Sequence, residues 1–293
     1  MMRLDTSRGL HWIGHPGALS WIVDRGEESV EDNIDVRVSA SMGGGRRARV
    51  SRVRPLRTWS LQIPDAHADE VRHLRSLIVS TLGPYQLVTA HAQVSNVLTP
   101  ERAELMSLIT PSAGLGQAGG WPIAAESGGG WTTTTKVNPS ANGGAQGVVR
   151  IGPAPTPPWH TGRKVTVSAM LGTQRAAGAY VILDWLDAAG AQTGTSVNGN
   201  TVTGMDGLRR SSATGTPPFG AVACRIGIVY AEVISQPQVT WTDAPIPEWA
   251  PGEGADRVVV TSSSRQTDMA VPDDYALRRS THSFTLLETG PSW

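Results

Sequence analysis

The chain has 293 residues, with 25 Lys and Arg against 25 Asp and Glu and a charged fraction of 17%. Zero formal net charge excludes a strong field of one sign over the whole chain, and with it broad nucleic-acid or membrane-surface attraction. The single cysteine, Cys224, excludes an internal disulfide framework and a multi-cysteine metal centre; set in AVACRIGIVY, it reads as a buried thiol in a strand.

Gly 33 and Pro 20 with few charges imply many turns, and runs such as WTTTTKV, VTVSAML and RVVVTSSS are rich in β-branched residues. Both features point to a mainly β protein, long enough for two cores. The opening MMRLDTSRGLHW lacks the pattern of a signal peptide or a membrane span. Synthesis in a cytoplasm without a cleaved leader is the expectation. His11 and His15 flank Trp-Ile-Gly and read as loop residues, with a metal between them as the alternative.

LSWIVD (19–24), NIDVRVS (33–39) and RTWSLQI (57–63) read as strands. Between them, GGGRRARVSRVRPLR carries Arg46, Arg47, Arg49, Arg52, Arg54 and Arg57. The alternation in RARVSRVR suggests an edge strand with one charged face, suited to a subunit interface; the segment lacks the interleaved aromatics of a single-strand nucleic-acid binder. Residues 65–83 predict a helix, with Val71, Leu74, Ile78 and Leu82 spaced by three and four and Gly83-Pro84 as the stop. YQLVTAHAQV (85–94) reads as a returning strand, and residues 96–105 as a short helix with Thr99 at its cap and Pro100 at its first position.

Composition changes near residue 110. TPSAGLGQAGGWP and ESGGGW read as linker, strand and turn signals fill 131–251, and PEWAPGEGA (247–255) reads as a second linker. Within the block, KVTVSAML and CRIGIVY alternate. GAYVILDWLDAAGAQTG places Val181, Leu183 and Trp185 on one face and Tyr180, Ile182 and Asp184 on the other. Trp185 is thereby assigned to a core, as is Trp241, which alternates with Val239. DRVVVTSSS and STHSFTLLE are the closing strands. A β block between two linkers suggests an inserted β-sandwich at 112–252, with 1–111 and 253–293 forming one discontinuous base domain.

The order GRKVTVSAML, VILDWLDAAGAQTG, GLRRSSATGTPPFGA and VTWTDAPIPEWAPG resembles the carbohydrate-binding-module-like jelly rolls. The flanking RTWSLQIPDAHADEVRHLRSL, HAQVSNVLTPERAEL and DRVVVTSSSRQTDMAVPDDYALRRSTHSFTLLETG resemble the minor and distal tail proteins of long-tailed bacteriophages of actinobacterial hosts. That resemblance implies a β-rich base domain joining a homo-oligomeric ring at the tail tip, contacts with other tail proteins, and location in the virion after synthesis in the host cytoplasm.

No catalytic signature is present: no Gly-x-Ser-x-Gly, no His-Glu-x-x-His and no phosphate-binding loop. Asp184 and Asp187 lie three apart, on opposite faces of a strand, which suits one solvated and one turn-forming residue better than a glycosidase pair. No enzyme activity and no cofactor are therefore expected. Jelly rolls of this type often hold a structural calcium, for which Glu126 and Asp243 are the candidate ligands. For host-glycan attachment, Trp131, Trp159 and Tyr180 are candidate stacking groups and Asp184 a candidate hydrogen-bond partner. A carbohydrate-binding surface protein and a glycan hydrolase are the alternatives.

Overall fold

The structure is a computed structural model that describes residues 10–23, 28–33, 36–40, 46–50, 56–63, 72, 75–77, 84–103, 122–123, 134–136, 148–173, 176–231, 233–269 and 279–289. It is mainly β, as the composition requires. Two compact units share the chain. The first comprises Met1–His15, Ser20–Leu87 and Asp256–Trp293; the second comprises Pro16–Leu19 and Val88–Ala255. The sequence puts the border of the inserted block at residue 112, whereas the packing puts it at Val88.

In the first unit a seven-stranded sheet runs in the order β2 (Ala18–Val23), β1 (Leu10–His15), β7 (Tyr85–Val88), β17 (Ala255–Met269), β18 (Arg279–Glu288), β6 (Leu56–Ile63) and β3 (Glu28–Asn33). β4 (Val36–Ala40) and β5 (Arg46–Val50) form a separate two-stranded ribbon. The two-residue period is plain on β6, where Arg57, Trp59, Leu61 and Ile63 are buried and the residues between them are not. Phe284, Leu286 and Glu288 alternate in the same way on β18. Within the helix predicted over 65–83, residues 72 and 75–77 are helical and Leu77 is buried; the rest of that stretch lies outside the described residues.

Two local expectations change. His11 and His15 lie on strand β1, not in a loop. Four strand steps separate them by roughly 13 Å, too far to share a metal ion. His11 is buried, and His15 packs on the Tyr85 ring at 4.8 Å. The strand predicted over 85–94 stops at Val88, and the helix Ala90–Val94 follows. Thr89 makes the switch: its hydroxyl accepts from the Ala92 N–H at 3.1 Å, a cap that a continuing strand cannot use.

The second unit is a sandwich of two sheets. One is ordered β10 (Val148–Pro155), β15 (Ala223–Val229), β12 (Tyr180–Leu186), β13 (Gln192–Asn198). The other is ordered β14 (Gly204–Gly215), β11 (Val165–Thr173), β16 (Val233–Thr240), β9 (Thr134–Lys136), β8 (Pro122–Ile123). From β9 to β16 the chain changes sheet at every connection except the β12–β13 hairpin. That is the strand order of a jelly roll.

The alternation read from the sequence sets the sandwich core. Val165, Val167, Ala169 and Leu171 on β11 and Val181, Leu183 and Trp185 on β12 are all at most 2% exposed. Trp185 pairs across the ladder with Cys224, also fully buried. The indole reaches the opposite sheet at Gly215, where an added Cβ would stand 3.0 Å from its Cζ2. Trp241 is buried too, donating from its indole N–H to the Pro155 carbonyl at 3.1 Å.

Residues 93–97 belong to this sandwich because they complete its β16 strand. Among the described residues, β9 pairs with β16 over Val233–Ser235. Farther along, the Val239 N–H donates to Asn96 Oδ1 at 3.1 Å, its carbonyl accepts from Val97 N at 2.7 Å, and Trp241 N donates to the Gln93 carbonyl at 2.8 Å. The exit segment then joins the entry segment. Glu253 N donates to Asn96 O at 2.9 Å and Gly254 N to Leu98 O at 3.0 Å. Asn96 Nδ2 also reaches the Ala250 and Pro237 carbonyls.

This closure leaves no space at Gly254, where a Cβ would fall 1.9 Å from the Val97 carbonyl oxygen. Gly254→Ala should therefore cost about 1–3 kcal/mol of sandwich stability by overpacking, read as a lower urea midpoint; an unchanged midpoint would mean the two segments are not zipped. Trp185→Ala should cost about 3–5 kcal/mol and Tyr180→Ala, on the half-buried opposite face, clearly less. Equal losses would mean that the two faces of β12 are exchanged.

Burial pushes the Cys224 thiol pKa from 9.0 up to about 12. A folded-state value above the unfolded one means that the stabilisation is complete below the unfolded pKa and is lost as pH rises toward the folded one. The wild-type chain should thus lose stability relative to Cys224→Ala between about pH 9 and about pH 12, as followed by chemical denaturation. A constant difference over that range would exclude a buried neutral thiol.

Candidate functional site

The largest exposed aromatic surface among the described residues lies at one end of the sandwich. Trp159 is 49% exposed and Phe219 79% exposed. Trp159 opens a single 3-10 turn, Trp159–Thr161, after Pro157-Pro158; the Thr161 hydroxyl donates to the Pro158 carbonyl at 2.7 Å, and Gly162 closes the turn at φ 67. Phe219 sits at the corner of Pro218–Ala221, where Ala221 N donates to Pro218 O at 3.1 Å and Gly220 takes φ 84. Only glycine enters that left-handed region at little cost, which fits a type II turn.

The two loops are tied together by the bond from Thr156 N to Val222 O, 3.2 Å long. Their rings meet edge to face, with centroids 5.2 Å apart and planes at 72°. His160 approaches the Trp159 ring at 5.9 Å and 89°. Edge-to-face packing lets a ring be held by its neighbour while much of its surface stays in water. Such a surface suits the apolar face of a sugar ring, with imidazole and hydroxyl groups nearby for its polar rim.

The remaining candidate residues are distributed differently from the expectation. Trp131 lies outside the described residues. Tyr180 is half-buried and pairs with Val229, whereas Pro155, just before the Trp159 loop, pairs with Ala223. Six strand steps, roughly 20 Å, separate those two register positions. Tyr180 and Trp159 thus stand at opposite ends of the sheet and do not form one platform.

Asp184 is not solvated. It is 6% exposed, and its carboxylate accepts from Arg225 Nε at 3.1 Å and Ser196 Oγ at 2.7 Å. The register explains this, since Asp184 lies directly opposite Arg225 on β15. A carboxylate so engaged holds the sheet face together and is not free for a sugar. Asp187 is the turn former: its Oδ1 accepts from Ala189 N and Ala191 N, both at 2.9 Å.

Of the calcium candidates, Glu126 lies outside the described residues and Asp243 is exposed in the bend after β16. No group of three or more His, Cys, Asp or Glu able to hold a metal ion occurs among the described residues. No helix among the described residues is long and apolar enough to cross a membrane.

The arginine run also divides. Arg46, Arg47 and Arg49 lie on β5, while Arg52 and Arg54 lie outside the described residues. Arg57 is a buried structural group, not an interface residue. Its Nε and Nη2 donate to the Glu288 carboxylate at 3.1 and 3.2 Å, and its guanidinium lies 4.9 Å from the Trp59 ring centroid. Its place in the alternation with Trp59, Leu61 and Ile63 carried that signal.

Phe219 is absent from the sequence-predicted site. Its signal was Pro217-Pro218-Phe219-Gly220, a turn that puts one of only two phenylalanines at an exposed corner. Compared with known proteins, the sequence matches no family model and no curated protein.

Proposed function

We propose that this chain is a structural subunit of a long-tailed phage tail tip that assembles with copies of itself, and that its jelly-roll module attaches to host-surface glycan through Trp159 and Phe219. The resemblance of the flanking segments to minor and distal tail proteins supports the assembly part. The observation that carries the attachment part is the exposed Trp159–Phe219 pair on two loops joined by a backbone bond. The role calls for no chemistry. Asp184 and Asp187, the only carboxylate pair the sequence offered for glycoside hydrolysis, are engaged with Arg225 and with a turn.

One aromatic pair on one sugar buries little apolar area, worth about 1–2 kcal/mol per stacked ring at roughly 25 cal/mol per Å². That hardly exceeds the entropic cost of association, so a single copy should bind at about the millimolar level. Linked copies convert later contacts into intramolecular ones, and residence on a surface then lengthens. A carbohydrate-binding surface protein that acts as a monomer would use the same aromatic pair, and assembly separates the two readings.

Sedimentation of the full chain, and its detection in purified phage particles, test the assembly. A strict monomer absent from particles would sink the tail reading. Retention on actinobacterial cell envelopes tests the attachment. The assembled wild type should be retained, and Trp159→Ala/Phe219→Ala should release it while changing stability by only about 1 kcal/mol or less, because both rings are exposed. Equal retention of wild type and variant would sink the aromatic site.

A further inference from the structure

The sheet face opposite the sandwich core holds an arginine set among neutral groups. On β11 the core side chains Val167 and Ala169 alternate with Ser168 and Met170, and Arg210 lies opposite Met170 on β14. The Arg210 guanidinium is half-buried. Its Nη1 donates to Ser168 Oγ at 2.9 Å and to Gln238 Oε1 at 3.4 Å, and its Nη2 donates to Gln236 Oε1 at 3.2 Å. These acceptors are a hydroxyl and two amides. Among the described residues, no carboxylate reaches Arg210.

The contrast with Arg57 and Arg225 is chemical; Arg163, half-buried too, donates like Arg210 to a neutral amide oxygen, that of Gln93. Arg57 is closed by Glu288, and Arg225 by Asp184. Neutral oxygens orient a guanidinium but leave its charge uncompensated, and partial burial makes that costly. Burial accordingly pulls the Arg210 pKa down.

The cradle is fixed from behind. Gln238 is 1% exposed, and its Nε2 donates to the Ser95 carbonyl at 2.7 Å and the Glu248 carbonyl at 3.1 Å. With both amide hydrogens used there, Oε1 is the atom left to face Arg210 and Ser168. Gln236 reaches the guanidinium from a register irregularity in β16, at φ 53, a left-handed conformation that any residue with a Cβ adopts at a cost. Five donors minus the three bonds above leave Nε–H and one Nη2 hydrogen without an acceptor among the described residues.

We propose that Arg210, held by Ser168, Gln236 and Gln238, is a binding site for an oxyanion: the carboxylate of an acidic sugar or the phosphate of a polyol phosphate. Both present paired oxygens that accept two guanidinium N–H bonds, and either supplies the missing negative charge. Lysine, a point charge without the planar fork, does not reproduce that geometry. The site is separate from the aromatic pair and does not depend on it. Arg210 lies opposite Met170, five positions along β11 from the Val165–Gly215 end where β14 runs out toward Phe219.

Isothermal titration of the full chain with glucuronate, glycerol phosphate and neutral glucose tests it. Glucuronate, glycerol phosphate or both should bind, and glucose should not. Binding of glucuronate alone assigns a carboxylate source, and of glycerol phosphate alone a phosphate source; each supports the site. Arg210→Lys should weaken binding at least tenfold, and Arg210→Gln should abolish it. Should the variants fold poorly, modification of the wild-type chain by phenylglyoxal, followed by mass spectrometry, gives the same answer. A bound probe should slow modification of Arg210 severalfold relative to its exposed neighbour Arg209. Binding of neither probe, equal binding by Arg210→Lys, or unprotected Arg210 in the presence of probe would overturn the proposal.

Discussion

The second unit depends on one closure: the segment that enters the sandwich and the segment that leaves it are hydrogen-bonded to each other. Asn96 stands at its centre. Its carbonyl accepts from Glu253, its side-chain oxygen accepts from Val239, and its amide nitrogen donates to the carbonyls of Pro237 and Ala250. A fully buried asparagine is stable only when its polar groups are matched in this way. The bonds reach across more than 140 residues of sequence. They are therefore a device for joining chain ends, the requirement any inserted domain must meet. The strands on either side of the insertion, β7 and β17, are neighbours in the seven-stranded sheet, so the closure and the sheet order satisfy the same constraint.

The sandwich itself is ordinary in its energetics. Its interior is mainly aliphatic, and its large aromatic Trp185 is accommodated by glycine at position 215 on the opposite sheet. Its polar features stand on the outer faces and are paired by register. Asp184 meets Arg225 because cross-strand neighbours in an antiparallel ladder come within reach. In the other unit, Arg57 and Glu288 are closed by the same adjacency of β6 and β18. Arg210 departs from this pattern, with three neutral acceptors in place of a carboxylate. The aromatic pair departs from it in another way, leaving large apolar rings in water at the end of a well-covered fold.

Local sequence determined the elements and their faces. Alternation on β11, β12 and β15 named the core face and placed Trp185 inside, and the alternation with Val239 did the same for Trp241, before any partner strand was known. Gly- and Pro-rich stretches, together with the change in composition, indicated an inserted β block. These signals are legible because side-chain period, turn preference and β propensity are properties of a few neighbouring residues.

What only the tertiary structure decided are the pairings. Nothing within a dozen residues of Asp184 says that Arg225 lies opposite it, so an isolated carboxylate on a polar face reads as solvated. Arg57 reads as the last member of a charged run until Glu288, 231 residues away, is brought beside it. Trp159 and Tyr180 carry the same chemistry, and the register alone puts them at opposite ends of a sheet. Residues 93–97 look like the end of one strand and the start of a short helix until their bonds to Val239 and Trp241 join them to the far end of β16. The physical reason is common to all of these. Periodicity encodes which way a side chain faces, while register and long-range hydrogen bonding, which the chain sets only when it closes, decide what that side chain meets.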